Sequence, residues 1–208
     1  TEIFVVSPGI PRDTLCVKQA EEAGLTIWGE IELAYQASKG RLAAITGTNG
    51  KTTTTTLAGE ILKSWYASVF VVGNIGIPYT SIALDTKEDS ITVAEISSFQ
   101  LETVWEFAPE VSAILNITPD HLNRHKTMEN YIAIKESITK NQKLGNVCVL
   151  NYEDKELRKF GEKLEIPVIF FSSQRELEQG FCLEGETIVY HTGKETIPFV
   201  HVPELQLV

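Results

Sequence analysis

The stretch "RLAAITGTNGKTTTTTL" (residues 41–57) decides the fold. An apolar run ends at Thr46, a glycine turn covers residues 47–50, and Lys51 begins a segment of helical composition. In this order, backbone N–H groups of the turn and of the helix N-terminus point towards a bound anion. A lysine and a hydroxyl group at the start of such a helix bind outer phosphates and Mg²⁺. The stretch therefore predicts a phosphate-binding loop between a strand and a helix.

The loop is shorter than the common pattern, because a glycine five positions before Gly50 would fall on Ile45. The alternative interpretation is a tight strand-to-helix turn with a chance Lys-Thr pair. Within the threonine run, we expect Thr52 to be the metal-binding hydroxyl and Thr53 a donor at the helix start. The remaining threonines, 54–56, are expected to be packed helix residues.

The chain around this loop alternates between apolar runs and segments with helical spacing. Unbroken runs rich in Val and Ile predict strands at 3–7, 42–46, 68–72, 91–96, 111–117, 146–151 and 167–172. Helices are predicted at about 12–24, 30–39, 51–64, 98–107, 128–142 and 153–164. From Ser173 onward, the pieces "FCLEGETIVYH" and "TIPFVHV" alternate and indicate antiparallel hairpins. The pattern predicts an α/β fold: a mostly parallel sheet with helices on both faces and a small antiparallel annex.

The organisation of the chain suggests more than one unit. A domain boundary is expected near Lys39, with residues 1–38 forming a partial, Rossmann-like α/β unit and 29–41 a polar connector. The 208 residues can bury a sizeable core, and 43% hydrophobic with 22% charged residues is ordinary for a globular protein. Because both ends run directly into apolar sequence, we expect a piece of a longer protein.

Charge and cysteine content exclude several classes of function. The net charge is −10 without a dense Lys/Arg cluster, which argues against nucleic acid and anionic membranes as partners. Cys16, Cys148 and Cys182 are far apart and form no CxxC pair, so neither a zinc site nor a disulfide framework is indicated. The apolar runs are strand-sized, far short of the roughly 20 residues that cross a bilayer. A cytoplasmic location is expected.

Three further positions are candidates for chemistry. Glu95 lies near the end of a buried strand, where a carboxylate is costly unless it meets a cation; the alternative is a solvated strand-end acid. In "ILNITPDHLNRH" (114–125), we expect His121 to contact metal or phosphate and His125 to be structural. Glu102 is expected to be an exposed helix residue. From its apolar neighbours alone, Lys135 is interpreted as a surface lysine whose stem covers apolar area.

In their order along the chain, these pieces resemble the Mur ligase superfamily of ATP-dependent amide-bond-forming enzymes. The resemblance rests on "GTNGKTT", a strand-end Glu, "TPDHLNRH" and a Lys about ten residues further on. Within the superfamily, "EISSFQLET", "VVGNIGIP" and "VVSPGIP" are similar to the branch that joins D-glutamate to UDP-N-acetylmuramoyl-L-alanine in peptidoglycan synthesis. That branch transfers a phosphoryl group from ATP to the substrate carboxylate, and the amine then attacks the acyl phosphate.

The resemblance also implies roles for individual residues. Contacts to the UDP-sugar are implied for Ser7, Pro8, Gly9 and Asn74, with Ser98 and Gln100 also lining the site. The ATP phosphates are implied to bind Gly47, Thr48, Asn49, Gly50, Lys51, Thr52 and Thr53. One Mg²⁺ is implied to bind Thr52 and Glu95, and a second one His121 and a carbamylated Lys135. Lys51, His121 and Lys135 are the implied catalytic residues, which reverses the interpretation of Lys135 as a surface residue.

By the same resemblance, residues 1–38 are the remnant of a UDP-sugar-binding domain and residues 39–208 an incomplete central ATP-binding domain. The C-terminal amino-acid-binding domain is expected to be absent, so the chain alone is expected to be at best a weak nucleotide binder. The protein is expected to be a monomer. Three alternatives stay open: a superfamily ligase for another amino acid or for folate polyglutamylation, a regulatory ATPase that uses the same loop, and a purely structural domain.

Overall fold

The computed structural model describes residues 3–74 and 76–205. The strands are β1 (Ile3–Val6), β2 (Thr26–Gly29), β3 (Arg41–Thr46), β4 (Val69–Gly73), β5 (Ile91–Glu95), β6 (Val111–Ile114), β7 (Val147–Asn151), β8 (Val168–Ser172), β9 (Gln179–Glu184), β10 (Thr187–Thr192) and β11 (Thr196–His201). The helices are α1 (Leu15–Glu22), α2 (Glu30–Ala37), α3 (Lys51–Lys63), α4 (Tyr79–Ile82), α5 (Ser98–Leu101), α6 (Leu122–His125), α7 (Met128–Glu136) and α8 (Lys155–Gly161). Single 3₁₀ turns lie at Ala83–Asp85, Ser137–Thr139 and Val202–Glu204.

Nine strands form one sheet in the order β11-β10-β9-β8-β7-β6-β3-β5-β4. Neighbours from β4 to β9 pair in parallel, and β10 and β11 continue the sheet with antiparallel pairing. Strands β1 and β2, which are connected in the sequence by α1, form a separate parallel pair. The predicted α/β class, with its mostly parallel sheet and antiparallel annex, is confirmed. No helix among the described residues is long and apolar enough to cross a membrane.

Helices cover both faces of the sheet, and successive side chains along a strand contact opposite faces. Ala44 and Ala94 face a large buried cluster that includes residues of α2, α4, α7 and α8. Ile45 and Val93, one position away on the same strands, pack against Ala58 and Leu62 of α3 on the opposite face. Because β3 and β5 are covered on both faces, their sequences are unbroken apolar runs rather than alternating ones.

The helix predicted at about 30–39 is confirmed, so most of the stretch 29–41 is a packed helix and not the polar connector that was also expected. Helix α2 occupies residues 30–37 and buries Ile31 and Ala34, and the strand β2 that precedes it was not predicted. Fully buried Glu32 accepts hydrogen bonds from the backbone N–H groups of three residues that follow α5, namely Trp105 at 2.8 Å, Glu106 at 3.0 Å and Phe107 at 3.0 Å. The helix predicted at 98–107 therefore ends at Leu101, because these N–H groups bond to a carboxylate and not to the preceding turn.

Other predicted elements have the right type but are too long. Helix α7 ends at Glu136 and continues as a 3₁₀ turn to Thr139, and α8 covers only Lys155–Gly161. Strand β6 ends at Ile114, three residues before its predicted end. The short helices α4 and α6 were not predicted. Residues 1–2 and 206–208 of the predicted domains, and Ile75 of the "GNIGIP" stretch, lie outside the described residues.

Candidate active site at the carboxyl edge of the sheet

The phosphate-binding loop connects β3 to α3, as its sequence predicts. Gly50 precedes the helix with φ of 82°, in the left-handed region that favours glycine. The first hydrogen bond of the helix runs from the N–H of Thr54 to the carbonyl of Gly50 at 3.0 Å. The N–H groups of residues 51–53 therefore have no partner within the helix and are available to an anion.

Asn116 fixes the shape of this loop, and it was not singled out from the sequence. Its Oδ1 accepts the N–H of Asn49 at 2.8 Å, and its Nδ2 donates to the Asn49 carbonyl at 3.0 Å. The Asn116 carbonyl accepts the N–H of Thr48 at 2.9 Å. The sequence signal was an amide side chain directly after the buried run of β6. These three bonds hold the glycine turn against the neighbouring strand end before any ligand arrives.

Glu95 ends β5 on the α3 face of the sheet and is buried. Its carboxylate accepts hydrogen bonds from Thr52 Oγ1 at 2.8 Å and from Asn74 Nδ2 at 3.1 Å. Both donors are neutral, and no lysine, arginine or histidine nitrogen of the described residues lies within 4.0 Å of this carboxylate. A buried carboxylate without a cation is costly, so the pair of oxygens from Thr52 and Glu95 fits a hard divalent ion.

Lys135 is buried, with only 1% of its surface exposed, so its interpretation as a surface lysine is wrong. Its Nζ donates to the carbonyl of Gly47 at 2.8 Å and lies 3.4 Å from Thr46 Oγ1. Burial, together with the nearby charge of Lys51, lowers the pKa of the Lys135 amine to about 7. A large fraction of this amine is therefore neutral, and nucleophilic, near neutral pH.

His121 and Lys135 line one common cavity, and His121 has a left-handed backbone conformation, with φ of 50°. Its ring packs on Phe99 with centroids 4.9 Å apart, and Nε2 lies 3.3 Å from a carboxylate oxygen of Asp120. Because 48% of the side chain is exposed, its ring nitrogens are accessible to a ligand. His125, one turn later, is fully buried and lies 3.0 Å from Ser98 Oγ through Nε2. Burial lowers the pKa of His125, which keeps the ring neutral.

Of the two predicted residues Ser98 and Gln100, only Ser98 borders the cavity. Ser98 Oγ borders the cavity, whereas the Gln100 side chain accepts the N–H of Ser97 at 2.8 Å and donates to Glu30 at 2.9 Å. The second of these bonds links α5 to α2. Gln100 therefore does not line the cavity, and its hydrogen bonds instead fix the segment that carries Ser98.

The structure places six of the predicted site residues around one cavity of about 260 Å³, namely Gly47, Lys51, Asn74, Ser98, His121 and Lys135. Its lining residues are Gly47, Lys51, Asn74, Ser97, Ser98, Phe99, Asp120, His121, Tyr131 and Lys135. Tyr131 was not anticipated; its hydroxyl lies 3.2 Å from Thr48 Oγ1. The oxygens of Thr52 and Glu95 lie next to the lining residue Asn74. The ends of β3, β4, β5 and β6, together with α7, thus place a phosphate loop, two lysines and a histidine around one space.

The predicted sugar-nucleotide residues Ser7, Pro8 and Gly9 do not line this cavity; Arg124 connects their loop to it. Arg124 donates to the carbonyls of Gly9 at 3.4 Å and Ile10 at 3.2 Å. It also forms a two-pronged ion pair with Glu102, at 3.1 and 2.6 Å. Glu102 follows the last residue of α5 and its side chain is 12% exposed, so its predicted exposure on a helix is wrong. The guanidinium covers the ring of Phe99 at 4.6 Å.

Comparison with known proteins agrees with this arrangement. The family model of the Mur ligase middle domain matches residues 45–207. A UDP-N-acetylmuramoylalanine--D-glutamate ligase of Lachnoclostridium phytofermentans is 56% identical over 207 residues, which is 100% of this chain and 46% of the relative. The protein of the same name from Clostridioides difficile is 47% identical, over 99% of this chain and 46% of its own length. The chain thus spans about half the length of these curated relatives.

Solved structures share the fold at low sequence identity. The UDP-N-acetylmuramate:L-alanyl-gamma-D-glutamyl-meso-diaminopimelate ligase of Neisseria meningitides has a TM-score of 0.63 at 14% identity, over 94% of this chain and 66% of that one. The MurF ligase of Thermotoga maritima, solved in complex with ADP, has a TM-score of 0.57 at 20% identity, over 95% of this chain and 55% of that one. The matches in sequence and in fold point the same way, and the chain belongs to the Mur ligase family.

Proposed function

We propose that this chain is the ATP-binding part of a ligase that joins D-glutamate to UDP-N-acetylmuramoyl-L-alanine through an acyl phosphate. The observation that carries the proposal is the similarity, over the whole chain, to relatives named for that reaction, at 56% and 53% identity. Residues 1–38 then belong to a UDP-sugar-binding domain and residues 39–208 to the central ATP-binding domain. ATP and the nucleotide-sugar substrate place the reaction in the cytoplasm, with the protein acting as a monomer.

In this proposal the phosphate loop binds the phosphates of ATP. The free N–H groups of residues 51–53 and the positive end of α3 receive phosphate oxygens, and the bonds to Asn116 hold the loop in shape. Lys51 now donates to the Thr48 carbonyl at 2.9 Å, within its own loop, and a rotation of its flexible stem carries the ammonium to the outer phosphates. The loop thereby positions the phosphoryl group that is transferred.

The chain's own residues supply two places for Mg²⁺. Thr52 and Glu95 would hold one ion, and His121 together with a carbamylated Lys135 would hold the second. An Mg²⁺ ion held by these residues would neutralise part of the negative charge that accumulates when ATP and the substrate carboxylate come together. The neutral amine of Lys135 supports its carbamylation, since the new C–N bond requires an unprotonated nitrogen that attacks CO₂ and releases a proton.

The sugar-nucleotide substrate is proposed to approach from the side of Ser98. That side chain borders the cavity, and Asn74 lies between the cavity and Glu95. The loop of Ser7, Pro8 and Gly9 is proposed to contact the UDP moiety, held in place by Arg124. Ser98 lies at the same edge of the sheet as the phosphate loop, as an in-line reaction between ATP and the substrate carboxylate requires, and Arg124 links the loop of residues 7–9 to that edge through Glu102.

Nucleotide binding by this chain tests the first step. We expect Mg²⁺-dependent ATP binding by calorimetry, and at least a tenfold loss for Lys51→Ala, about 1.4 kcal/mol. Lys63→Ala, an exposed lysine at the other end of α3, is the matched control and should bind normally. Equal ATP affinity in the two variants would contradict the proposed role of the loop.

The joining reaction needs a second measurement. Phosphate release is followed with UDP-N-acetylmuramoyl-L-alanine and each of several amino acids, using the chain alone and the chain extended to the length of its relatives. We expect D-glutamate-dependent release only from the extended protein. Preference for another amino acid would identify a different ligase of the family. ATP hydrolysis independent of the sugar nucleotide would instead indicate a regulatory ATPase.

A further inference from the structure

A second group of ligand-type side chains lies on the antiparallel part of the sheet, among residues that do not line the cavity described above. Cys182 and Glu184 belong to β9, and His191 belongs to β10. The sulfur, a carboxylate oxygen and a ring nitrogen of these residues all lie within 4.8 Å of one another. Within residues 3–74 and 76–205, this is the only group of three or more such side chains that meets this criterion.

The strand register explains why the three side chains meet. Cys182 and Glu184 are two residues apart and therefore point to the same face of the sheet. Cys182 pairs with Val189 on β10, and His191 is two residues beyond Val189, so it points to that face as well. The pairing of β9 with β10 is regular over six residue pairs. The cluster is thus held by backbone hydrogen bonds rather than by a flexible loop.

The ring of His191 is held at both nitrogens. Nε2 lies 2.7 Å from Glu184 Oε1, and Nδ1 lies 2.9 Å from Thr196 Oγ1 on β11. The Thr196 hydroxyl can donate to Nδ1 or accept a proton from it. When it donates, Nε2 carries the proton and donates to Glu184. When it accepts, Nε2 is unprotonated, and its lone pair is available to a metal ion that would replace the hydrogen bond to Glu184. Metal-binding histidines commonly have such a partner on the second nitrogen, which fixes the tautomer.

Cys182 supplies a sulfur in a mainly apolar setting. It is buried beside Leu177 and Val189, and Sγ accepts the N–H of Leu177 at 3.5 Å. The simplest interpretation is a small apolar core side chain beside a polar His–Glu pair. The strand register nevertheless places the sulfur beside both polar partners, within 4.8 Å of each, where it is available as a third ligand.

The combination of sulfur, nitrogen and oxygen ligands selects the kind of ion. Thiolate and imidazole favour Zn²⁺ and related transition ions over Mg²⁺ and Ca²⁺. Zinc–ligand distances of about 2.0–2.3 Å imply ligand atoms roughly 3.3–3.8 Å apart in a tetrahedral site. The three ligand atoms lie within 4.8 Å of one another, so the longest separation must shrink by about an ångström. The His191–Glu184 pair, now at 2.7 Å, must instead open by roughly 0.6 Å to admit the ion. Side-chain rotations can supply both changes. A solvent-open cleft is lined by His191 and Thr196, but not by Cys182 or Glu184, and gives solvent access to one ligand of the cluster.

We propose that Cys182, Glu184 and His191 form a Zn²⁺ site that cross-links β9 and β10, and that Thr196 orients the ring of His191. Binding exchanges the thiol proton and any proton on Nε2 for one ion, without a redox step. The site is independent of the ligase reaction proposed above. Its expected role is to stabilise the antiparallel annex, whose own buried apolar cluster contains only Leu177, Cys182 and Val189 among the described residues.

The test uses the 208-residue chain after removal of metals, titrated with Zn²⁺ in competition with a chromophoric chelator. We expect one tightly bound ion per chain and a rise in thermal midpoint on adding Zn²⁺. Co²⁺ in its place should give a thiolate charge-transfer band. Cys182→Ser, Glu184→Gln and His191→Gln should each weaken Zn²⁺ by at least about tenfold, and Thr196→Val by a smaller factor.

Matched controls are Cys148→Ser, a buried cysteine on β7, and His201→Gln on β11. Both should bind Zn²⁺ like the parent chain. Glu184→Gln and Thr196→Val change partly exposed or exposed side chains, so their circular dichroism should stay native even if Cys182→Ser is unstable. Absence of the thiolate band, or equal Zn²⁺ affinity in Glu184→Gln and the controls, would overturn the proposal and leave only adventitious surface binding.

Discussion

Replacing Arg124 by lysine should loosen the loop of residues 7–14 while leaving the phosphate loop intact. Arg124 joins two carbonyls of that loop, at Gly9 and Ile10, to the carboxylate of Glu102. The side chains of Arg124 and Glu102 are only 15% and 12% exposed, so solvent screens this ion pair weakly. Lysine keeps the charge but cannot form a two-pronged bond and reach both carbonyls.

The size of the effect follows from the hydrogen bonds that a lysine at this position cannot form. One charge-assisted bond to Glu102 contributes about 1.5–3 kcal/mol, and each neutral carbonyl contact at these longer distances about 0.5 kcal/mol. The expected loss in the free energy of unfolding is therefore roughly 2–4 kcal/mol. For a chain of this length, each kcal/mol corresponds to about 2–4 °C in thermal midpoint. The midpoint should thus fall by roughly 4–16 °C.

Hydrogen exchange followed by mass spectrometry localises the change. Amide exchange in residues 7–14 should accelerate at least about tenfold, whereas exchange in α3 should accelerate no more than the global loss of stability requires. Arg12→Lys is the matched control, because its ion pair with Glu21 is 54% and 38% exposed and contributes little. If residues 7–14 exchange equally in the two variants, Arg124 does not hold that loop.

Three further predictions concern buried charge. Glu32→Gln should lower the free energy of unfolding, measured by urea denaturation, by roughly 2–4 kcal/mol. The NH₂ group of the glutamine would face backbone N–H groups that donate to the carboxylate of Glu32, and two donors cannot bond to each other. Exposed Glu22→Gln, as the control, should leave the free energy of unfolding unchanged. The free energy of unfolding of the parent chain, compared with that of Lys135→Met, should rise between about pH 7 and 10.5, by up to about 5 kcal/mol. The reason is that in this range the lysine of the unfolded chain is still protonated, whereas the buried amine has already lost its proton. A flat difference between the two proteins across this range would refute the lowered pKa. Glu95→Gln should weaken the Mg²⁺ dependence of ATP affinity, measured by calorimetry, because only one of the two proposed ions contacts Glu95. Exposed Glu60→Gln should retain the full dependence, and equal dependence in the two variants would argue against a metal at Glu95.

Local patterns were sufficient to predict most of the architecture. Strands covered on both faces must be apolar at every position, so β3 and β5 were visible as unbroken runs, and the glycine turn after Thr46 identified the phosphate loop. Glu95 was a candidate because a strand-end carboxylate in an apolar run is unusual. These inferences depend on neighbours within a few residues along the chain.

The remainder depended on contacts between distant segments. Whether Lys135 is buried is decided by where α7 docks, since its Nζ bonds to the carbonyl of Gly47, 88 residues away. The early end of α5 depends on Glu32, more than 70 residues from the N–H groups that it accepts. Propensity within the segment favours helix there, and only the tertiary hydrogen bonds override it.

The parallel register has a consequence for how the length of this chain can vary in evolution. Glu95 pairs with Ile45 on one side and Gly73 on the other, and a one-residue deletion within β5 would turn the acid to the opposite face of the sheet. The turn at 143–146 lies at the other edge, where exposed Leu144 precedes β7. Insertions and deletions among related sequences should therefore accumulate at turns of that edge, while the segments entering the reactive edge keep a fixed residue count.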